Sequence, residues 1–304
     1  FTIQWRKNGV PIPGATLSTL TLNPTTASDS GSYTAALSSG CGSATTAPAA
    51  VVVREAPSLV TPPTAAIICE GDTLALMVTA AGSAPLTYQW SKDGTPIAGA
   101  IHALLAMSSA VAYDSGSYSV TVTNDCGVVA TTPVTAEVRE GASILTSPTS
   151  QTLCEGETLT LESTATGSAP LTLQWLKNSV ALPGETGTTL TISSVLASDA
   201  GVYSLTATND CGSASCAPAT VAVETAATIT EDPAAGAICT GDSITLSAAA
   251  TGSAPLTFQW FFGGASLSGA TSANLTISGA TPANAGAYSV TATNECGTAT
   301  SATT

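Results

Sequence analysis

Cysteine has the widest chemical reach of any residue type in this 304-residue chain, and seven of its eight cysteines fall into two regular series. Cys41, Cys126, Cys211 and Cys296 recur every 85 residues, as do Cys69, Cys154 and Cys239. With no CxxC pair and one histidine there is no metal-ligand spacing, so the thiols point to disulfides in an oxidising compartment rather than to zinc. Cys216 alone is out of phase, standing where other repeats carry Thr46, Thr131 and Ser301. Two readings stay open for it, a free thiol or a bond to another chain.

Other reactive residue types do not assemble. His102 has Leu17, Gly187 and Ser272 as its repeat equivalents, so no triad or metal set forms around it. Lys7, Lys92 and Lys177 follow the tryptophan strand where an isopeptide lysine could stand, but Phe262 takes the place in the last repeat, and a solvated turn is the expectation. Glu70, Asp72 and Asp210 could gather around calcium, yet no loop has dense D-x-D spacing, and turn capping is expected instead. Asn274-Leu-Thr276 is a formal glycosylation sequon and Asp72-Thr-Leu resembles a bacterial O-glycosylation motif, both short enough to arise by chance. The expectation is therefore no catalytic residue, no cofactor and no metal.

The elements that position these residues follow from the same period. Trp5, Trp90, Trp175 and Trp260 are also 85 residues apart, without insertion or deletion. A unit of that length is a small domain rather than a solenoid repeat. Within a period, turn residues come every 8–12 positions and separate short alternating segments. In the third repeat these are Thr158 to Ser163, Leu171 to Leu176, Thr189 to Ile192, Val202 to Thr208 and Ser213 to Val223. No segment has a helical period, so the expected fold is all-β, an antiparallel sandwich repeated along the chain.

Composition limits the partners. Only 9% of residues are charged, and the net charge of −14 rests on 6 Lys and Arg, too few to grip nucleic acid or an anionic bilayer. No run approaches the ~18 apolar residues of a membrane span, and neither a signal-like start nor an initiator Met is present. The chain reads as an internal piece of a longer secreted or surface protein.

One motif carries a family resemblance. It reads Asp29-Ser-Gly31-Ser-Tyr33, Asp114-Ser-Gly116-Ser-Tyr118, Asp199-Ala-Gly201-Val-Tyr203 and Asn284-Ala-Gly286-Ala-Tyr288, in phase with the tryptophans and with the Leu190 and Ile192 segment. In this the chain resembles tandem immunoglobulin-like domains of the I-set type, as found in bacterial surface proteins. The resemblance implies a β-sandwich with strands A to G, a core built on Trp5, Trp90, Trp175 and Trp260, and corner tyrosines Tyr33, Tyr118, Tyr203 and Tyr288 whose hydroxyls bond nearby backbone while Gly relaxes the turn. It implies four domains forming an elongated rod: 1–53, partial, with strands C to G but lacking A and B; 54–138; 139–223; and 224–304, with the end of its last strand truncated.

The cysteines depart from that family. Where its core disulfide would stand, the chain has Ala35, Val120, Leu205 and Val290 opposite Val78, Ser163 and Ala248, and a buried Ser163 would need a hydrogen-bond partner. In the implied topology the turn before strand B and the F–G hairpin lie at opposite ends of a domain, too far apart for a bond that needs Cα atoms within ~7 Å. The expected pairs are therefore between domains, Cys69 with Cys211 and Cys154 with Cys296. Cys41, Cys126 and Cys239 are left to pair outside the sequence.

Function is then expected to be structural: a repeat array of an extracellular or cell-surface filament, stiffened by inter-domain disulfides, self-associating or adjoining like repeats. The partial first domain would leave its Trp5 face open to water unless a preceding segment or another copy covered it. The alternative is an adhesin or receptor stalk binding a protein or glycan through loops, for which only Ile101 to Met107 and Phe261-Phe262 stray from the pattern.

Overall fold

The computed structural model describes all residues from Phe1 to Thr304, and the chain divides into two compact units, Phe1–Glu140 and Gly141–Thr304. The domain that opens the second unit shows the plan most fully. Strand B (Leu159–Glu162) pairs antiparallel with strand E (Thr189–Ile192), and strand A (Ser143–Thr146) with a continuation of B (Thr164–Thr166). Facing them lies a sheet in the order A′ (Gln151–Cys154), G (Ala219–Glu224), F (Gly201–Asn209), C (Thr172–Lys177) and C′ (Val180–Ala181). Alternation explains the two layers. Leu159, Leu161, Leu190, Trp175, Tyr203, Leu205 and Val221 point inward and are buried, whereas Thr160, Glu162 and Thr191 between them face water.

Two details differ from the sequence expectation. Ser213 to Val223 is not one strand but Gly212–Ser215 and Ala219–Glu224. The break falls at Cys216-Ala217-Pro218, where the proline has no N–H for the ladder. Strand B is interrupted at Ser163, which is fully buried and donates its hydroxyl to the Thr146 carbonyl at 2.7 Å. That bond meets the need raised by a serine in the core.

The first unit holds a second complete domain and the partial repeat. In residues 1–53 strand C (Thr2–Lys7) pairs with F (Gly31–Ser39), which pairs in turn with Gly42–Thr45 and Ala49–Val51. The expected strand E is absent: Leu20 and Leu22 lie in non-strand backbone. Elsewhere E is held by B, and without that partner its backbone has no ladder to join. For the same reason Trp5 does not reach the core condition. It is half-buried, its indole N–H bonding the Leu17 carbonyl at 3.0 Å, whereas Trp90, Trp175 and Trp260 are fully buried.

The corner motif works differently from the expectation for its glycine. Each corner tyrosine donates to the carbonyl four residues earlier, at Asp29, Asp114, Asp199 and Asn284, over 2.7 to 2.9 Å. The glycine, which does not take a positive φ, makes room for neighbouring side chains. A Cβ on Gly116 would sit 2.7 Å from Lys92 Cε and 2.8 Å from Asp93 Oδ2, so these two side chains pack over it. The lysines of that turn are likewise not simply solvated. Lys7, Lys92 and Lys177 donate to the carbonyls of Ser28, Tyr113 and Ser198, closing the short 3-10 turn before strand F. Phe262 replaces this contact by packing on Tyr288, ring centres 4.7 Å apart.

Burial pushes the Tyr118 phenol up to about 12, with the Asp114 and Asp93 carboxylates adding to it; Tyr203 and Tyr288 also shift upward, mainly by burial. A phenol whose folded pKa exceeds its unfolded value stabilises fully below pH ~10, and that contribution is lost as pH rises from about 10 through about 12. The Trp90 domain is therefore expected to lose about 2–3 kcal/mol across that window. Phenolate absorbance from Tyr118 should appear late, together with unfolding. Ionisation of Tyr118 near pH ~10 in protein that stays folded would contradict this.

Candidate functional site

The cysteines, Asn294 and the linker meet where the two domains of the second unit join. Strand A′ runs parallel to G with Cys154 opposite Glu224, the last residue of G. Cys154 therefore stands at the end of its domain from which the chain departs, away from the hairpin Asn209–Gly212 at the far end of strand F. Cys296 lies in the equivalent hairpin of the next domain, between strand F (Tyr288–Asn294) and Gly297–Thr300. Cys154 and Cys296 form a disulfide, Cα atoms 5.4 Å apart and 142 residues apart in sequence. In the first unit the same register sets Cys69 opposite Arg139, remote from the hairpin that holds Cys126.

Beside the disulfide lies a polar clamp that the sequence reading passed over. Asn294 donates through Nδ2 to the carbonyls of Thr225 (2.8 Å) and Ser253 (2.9 Å), and its Oδ1 accepts from the Cys296 and Ala227 amides. Ser253 exchanges two bonds with Thr225, its amide to the Thr225 carbonyl and the Thr225 amide to its hydroxyl. One asparagine thus ties the linker to the B–C loop and to the cysteine hairpin. A Cβ on Gly252 would lie 2.8 Å from the Ala226 carbonyl oxygen, so the linker packs directly on that loop. The first unit repeats the device with Asn124 on the Glu55 and Ser83 carbonyls, and Arg54 adds an ion pair with Asp125. Recurrence of Asn124, Asn209 and Asn294 every 85 residues was the available signal.

Acidic groups near these cysteines serve their own domains. Glu70 accepts from the Ala112 amide and Glu155 from the Ala197 amide, both at 2.9 Å, while Asp72 and Glu157 accept from the Cys69 and Cys154 amides. His102 is exposed, and its carbonyl receives the Trp90 indole N–H. Cys41, Cys126 and Cys239 are exposed free thiols, whereas Cys69 and Cys211 are not free.

Cys216 is free but buried, which removes the reading of a bond to another chain. The Leu205 amide donates to its Sγ at 3.0 Å, as the Ala35, Val120 and Val290 amides donate to the hydroxyls of Thr46, Thr131 and Ser301. The thiol fills a hydroxyl's place. Cys216→Ser is accordingly expected to be tolerated within ~1 kcal/mol, whereas Cys216→Ala leaves a buried amide without a partner and should cost about 1–3 kcal/mol. Thermal melts of the two variants compare them directly.

This architecture defines a class of protein, an all-β tandem of sandwich domains. Residues 56–124 and 143–209 match the family model for the immunoglobulin domain and 227–304 the model for the immunoglobulin I-set domain, so the chain is a tandem of immunoglobulin domains. It is 30% identical over 230 residues, 66% of its length, to the mouse basement membrane-specific heparan sulfate proteoglycan core protein. A shorter match, 52% over 56 residues, covers 18% of the chain and relates it to the decoration protein of Escherichia phage T5. The chain spans only 6% and 34% of those two proteins' lengths. Among solved structures, the titin I-band fragment I67–I69 superposes with a TM-score of 0.70 at 19% identity, covering 81% of this chain and 96% of that one, a likeness of fold.

Proposed function

We propose that the chain is a structural repeat array of an extracellular or cell-surface filament, stiffened by disulfides between domains, with no catalytic role. The observation that carries the reading is the Cys154–Cys296 bond beside the Asn294 clamp, because two independent ties at one linker remove hinge freedom that a flexible string of binding modules would keep. Shifting that bond by one period gives Cys69–Cys211, with the same separation, and we include it in the proposal. On the same pattern Cys41, Cys126 and Cys239 bond like repeats or neighbouring copies. The sparse charge of the chain suits close contact between copies better than free diffusion, since soluble monomers usually carry about 25–35% charged surface. An extracellular setting is supported by the disulfide and by relatives such as the basement-membrane proteoglycan core protein. A bacterial setting has narrower support, the phage T5 relative. Electron microscopy and light scattering of the native material test the proposal: regular fibres or multi-repeat rods are expected, and dispersed flexible monomers under all native conditions would refute it.

Adhesion is the second reading, and one face favours it. In the domain 54–139 the outer side of strands B (Leu74–Met77) and E (Leu104–Met107) carries Ala75, Met77, Leu104 and Ala106, with Met77 62% and Leu104 49% exposed. The next domain has Thr160, Glu162, Thr189 and Thr191 there. If adhesion is the role, Met77→Thr with Leu104→Thr abolishes ligand capture and leaves assembly intact.

A further inference from the structure

The Cys154–Cys296 bond sits among charges of one sign. Glu224 Oε2 lies 3.9 Å from Cys296 Sγ, and Glu224, Cys154 and Cys296 are all half-buried. At the other cysteine the Glu157 carboxylate accepts from the Cys154 amide at 2.8 Å, and Glu155 and Glu295 adjoin the two cysteines in sequence. Within residues 141–304 no free basic side chain balances these groups. Lys177 is the one Lys or Arg there, and it is committed to the Ser198 carbonyl and to Asp199, 3.7 Å away. The backbone holds Glu224 in place from both sides. Glu224 pairs with Cys154 at the end of strand G, while Thr225 bonds Ser253 through its amide and accepts from Asn294 and the Ser253 amide through its carbonyl. The acid is particular to this place, because strand G of the preceding domain sets Arg139 opposite Cys69.

We propose that Glu224 sets the redox reactivity of this junction: its carboxylate slows thiol–disulfide exchange at Cys154–Cys296 and discriminates against anionic thiols. Reduction begins when an external thiolate attacks one of the two sulfurs. A bond forms between attacking and attacked sulfur, the Cys154–Cys296 bond breaks, and its electron pair leaves on the other cysteine as a thiolate. A second reductant thiolate then attacks the reductant sulfur of the mixed disulfide. Two reductant thiols become one disulfide, and their two protons end on Cys154 and Cys296. Glu224 opposes both directions of attack. If Cys296 is attacked, the carboxylate repels the incoming thiolate, more strongly the more negative charge the reductant carries. If Cys154 is attacked, negative charge develops on Cys296 Sγ beside the carboxylate, which makes it a poorer leaving group. The result is a tie that resists a thiol of the glutathione type and yields sooner to a cationic one.

The test compares the full chain with Glu224→Gln, and with Glu162→Gln on the outer face of strand B as the control for a lost carboxylate. Opening of Cys154–Cys296 is followed by alkylation and peptide mass at low ionic strength, with glutathione, mercaptoethanol and cysteamine, and rates are compared per thiolate. Glu224→Gln is expected to react about fivefold or more faster with glutathione, less so with mercaptoethanol and least with cysteamine, while the control follows the parent. The differences should shrink in high salt. Glu224→Arg, which takes the residue type of Arg139, should go further in the same direction. Unchanged glutathione kinetics in Glu224→Gln would overturn the proposal. So would an equal acceleration with all three thiols that salt does not alter, since that reports a loosened junction rather than a charge. Neither readout depends on assembly, so failure of the filament proposal leaves this one standing.

Discussion

Replacing Trp175 by alanine is expected to cost its domain about 3–5 kcal/mol, a large share of the roughly 5–15 kcal/mol that a folded domain possesses. Two contributions add. The indole is fully buried among Leu159, Leu161, Leu190, Tyr203, Leu205 and Val221, so truncation leaves a large cavity in a close-packed core. Its N–H also donates to the Gly187 carbonyl at 3.0 Å, and that acceptor loses its partner. No core disulfide stands behind it to hold the two sheets together, since Ser163 and Leu205 occupy those positions. The melting temperature of the domain should fall by roughly 12–40 °C at ~4–8 °C per kcal/mol. Hydrogen exchange localised to 141–224 separates this loss from the behaviour of the other domains. A Trp175→Ala domain within 1 kcal/mol of the parent would contradict the packing argument.

What could be read in the sequence divides by the range of the interaction. Strand periodicity and the recurrence of Trp90, Trp175 and Trp260 are local and repeated, so the sandwich was legible before any coordinates. The corner tyrosines bond a carbonyl only four residues away, which a motif can encode. The packing over Gly116 comes from across the sheet, from the Lys92 and Asp93 side chains, so its own turn sequence does not announce it. Asn294 was passed over for a similar reason: its acceptors are backbone carbonyls 69 and 41 residues earlier, and no residue type at those positions announces them. Strand E of the first repeat could not be read from Leu20 and Leu22 alone, since a strand exists only with a partner to close its ladder. Cys216 is intermediate. Its frame, shared with Thr46, Thr131 and Ser301, was visible, but that a sulfur stands in for a hydroxyl became legible only with the Leu205 amide aimed at it.

Breaking the Cys154–Cys296 bond is expected to uncouple two domains that otherwise unfold together. In the chain-entropy model a cross-link spanning 142 residues stabilises against complete unfolding by about 5 kcal/mol. The bond spans parts of both domains, so partial unfolding must be considered as well. If either domain unfolds while its neighbour stays folded, the strand order fixes one end of the loop, and the closed segment is roughly half as long. Because the entropy depends only on the logarithm of loop length, that shorter loop still contributes roughly 4 kcal/mol. The first domain to unfold therefore bears most of the penalty, and the second adds less than ~1 kcal/mol. Oxidised, the pair should unfold in coincident transitions. In Cys154→Ser they should separate, each at lower denaturant. Trp175 and Trp260 lie one in each domain, so Trp175→Phe and Trp260→Phe backgrounds report the two transitions individually. Asn294→Ala in the Cys154→Ser background should widen the separation, since the clamp is then the remaining polar tie at the linker. Superimposable curves with and without the bond would show that the disulfide does not couple the domains. The same design at Cys69, read through Trp90 and joined to non-reducing peptide mapping, tests the pair proposed one period earlier: a Cys69–Cys211 peptide is the expected product, and a Cys69–Cys126 peptide would overturn the inter-domain pattern.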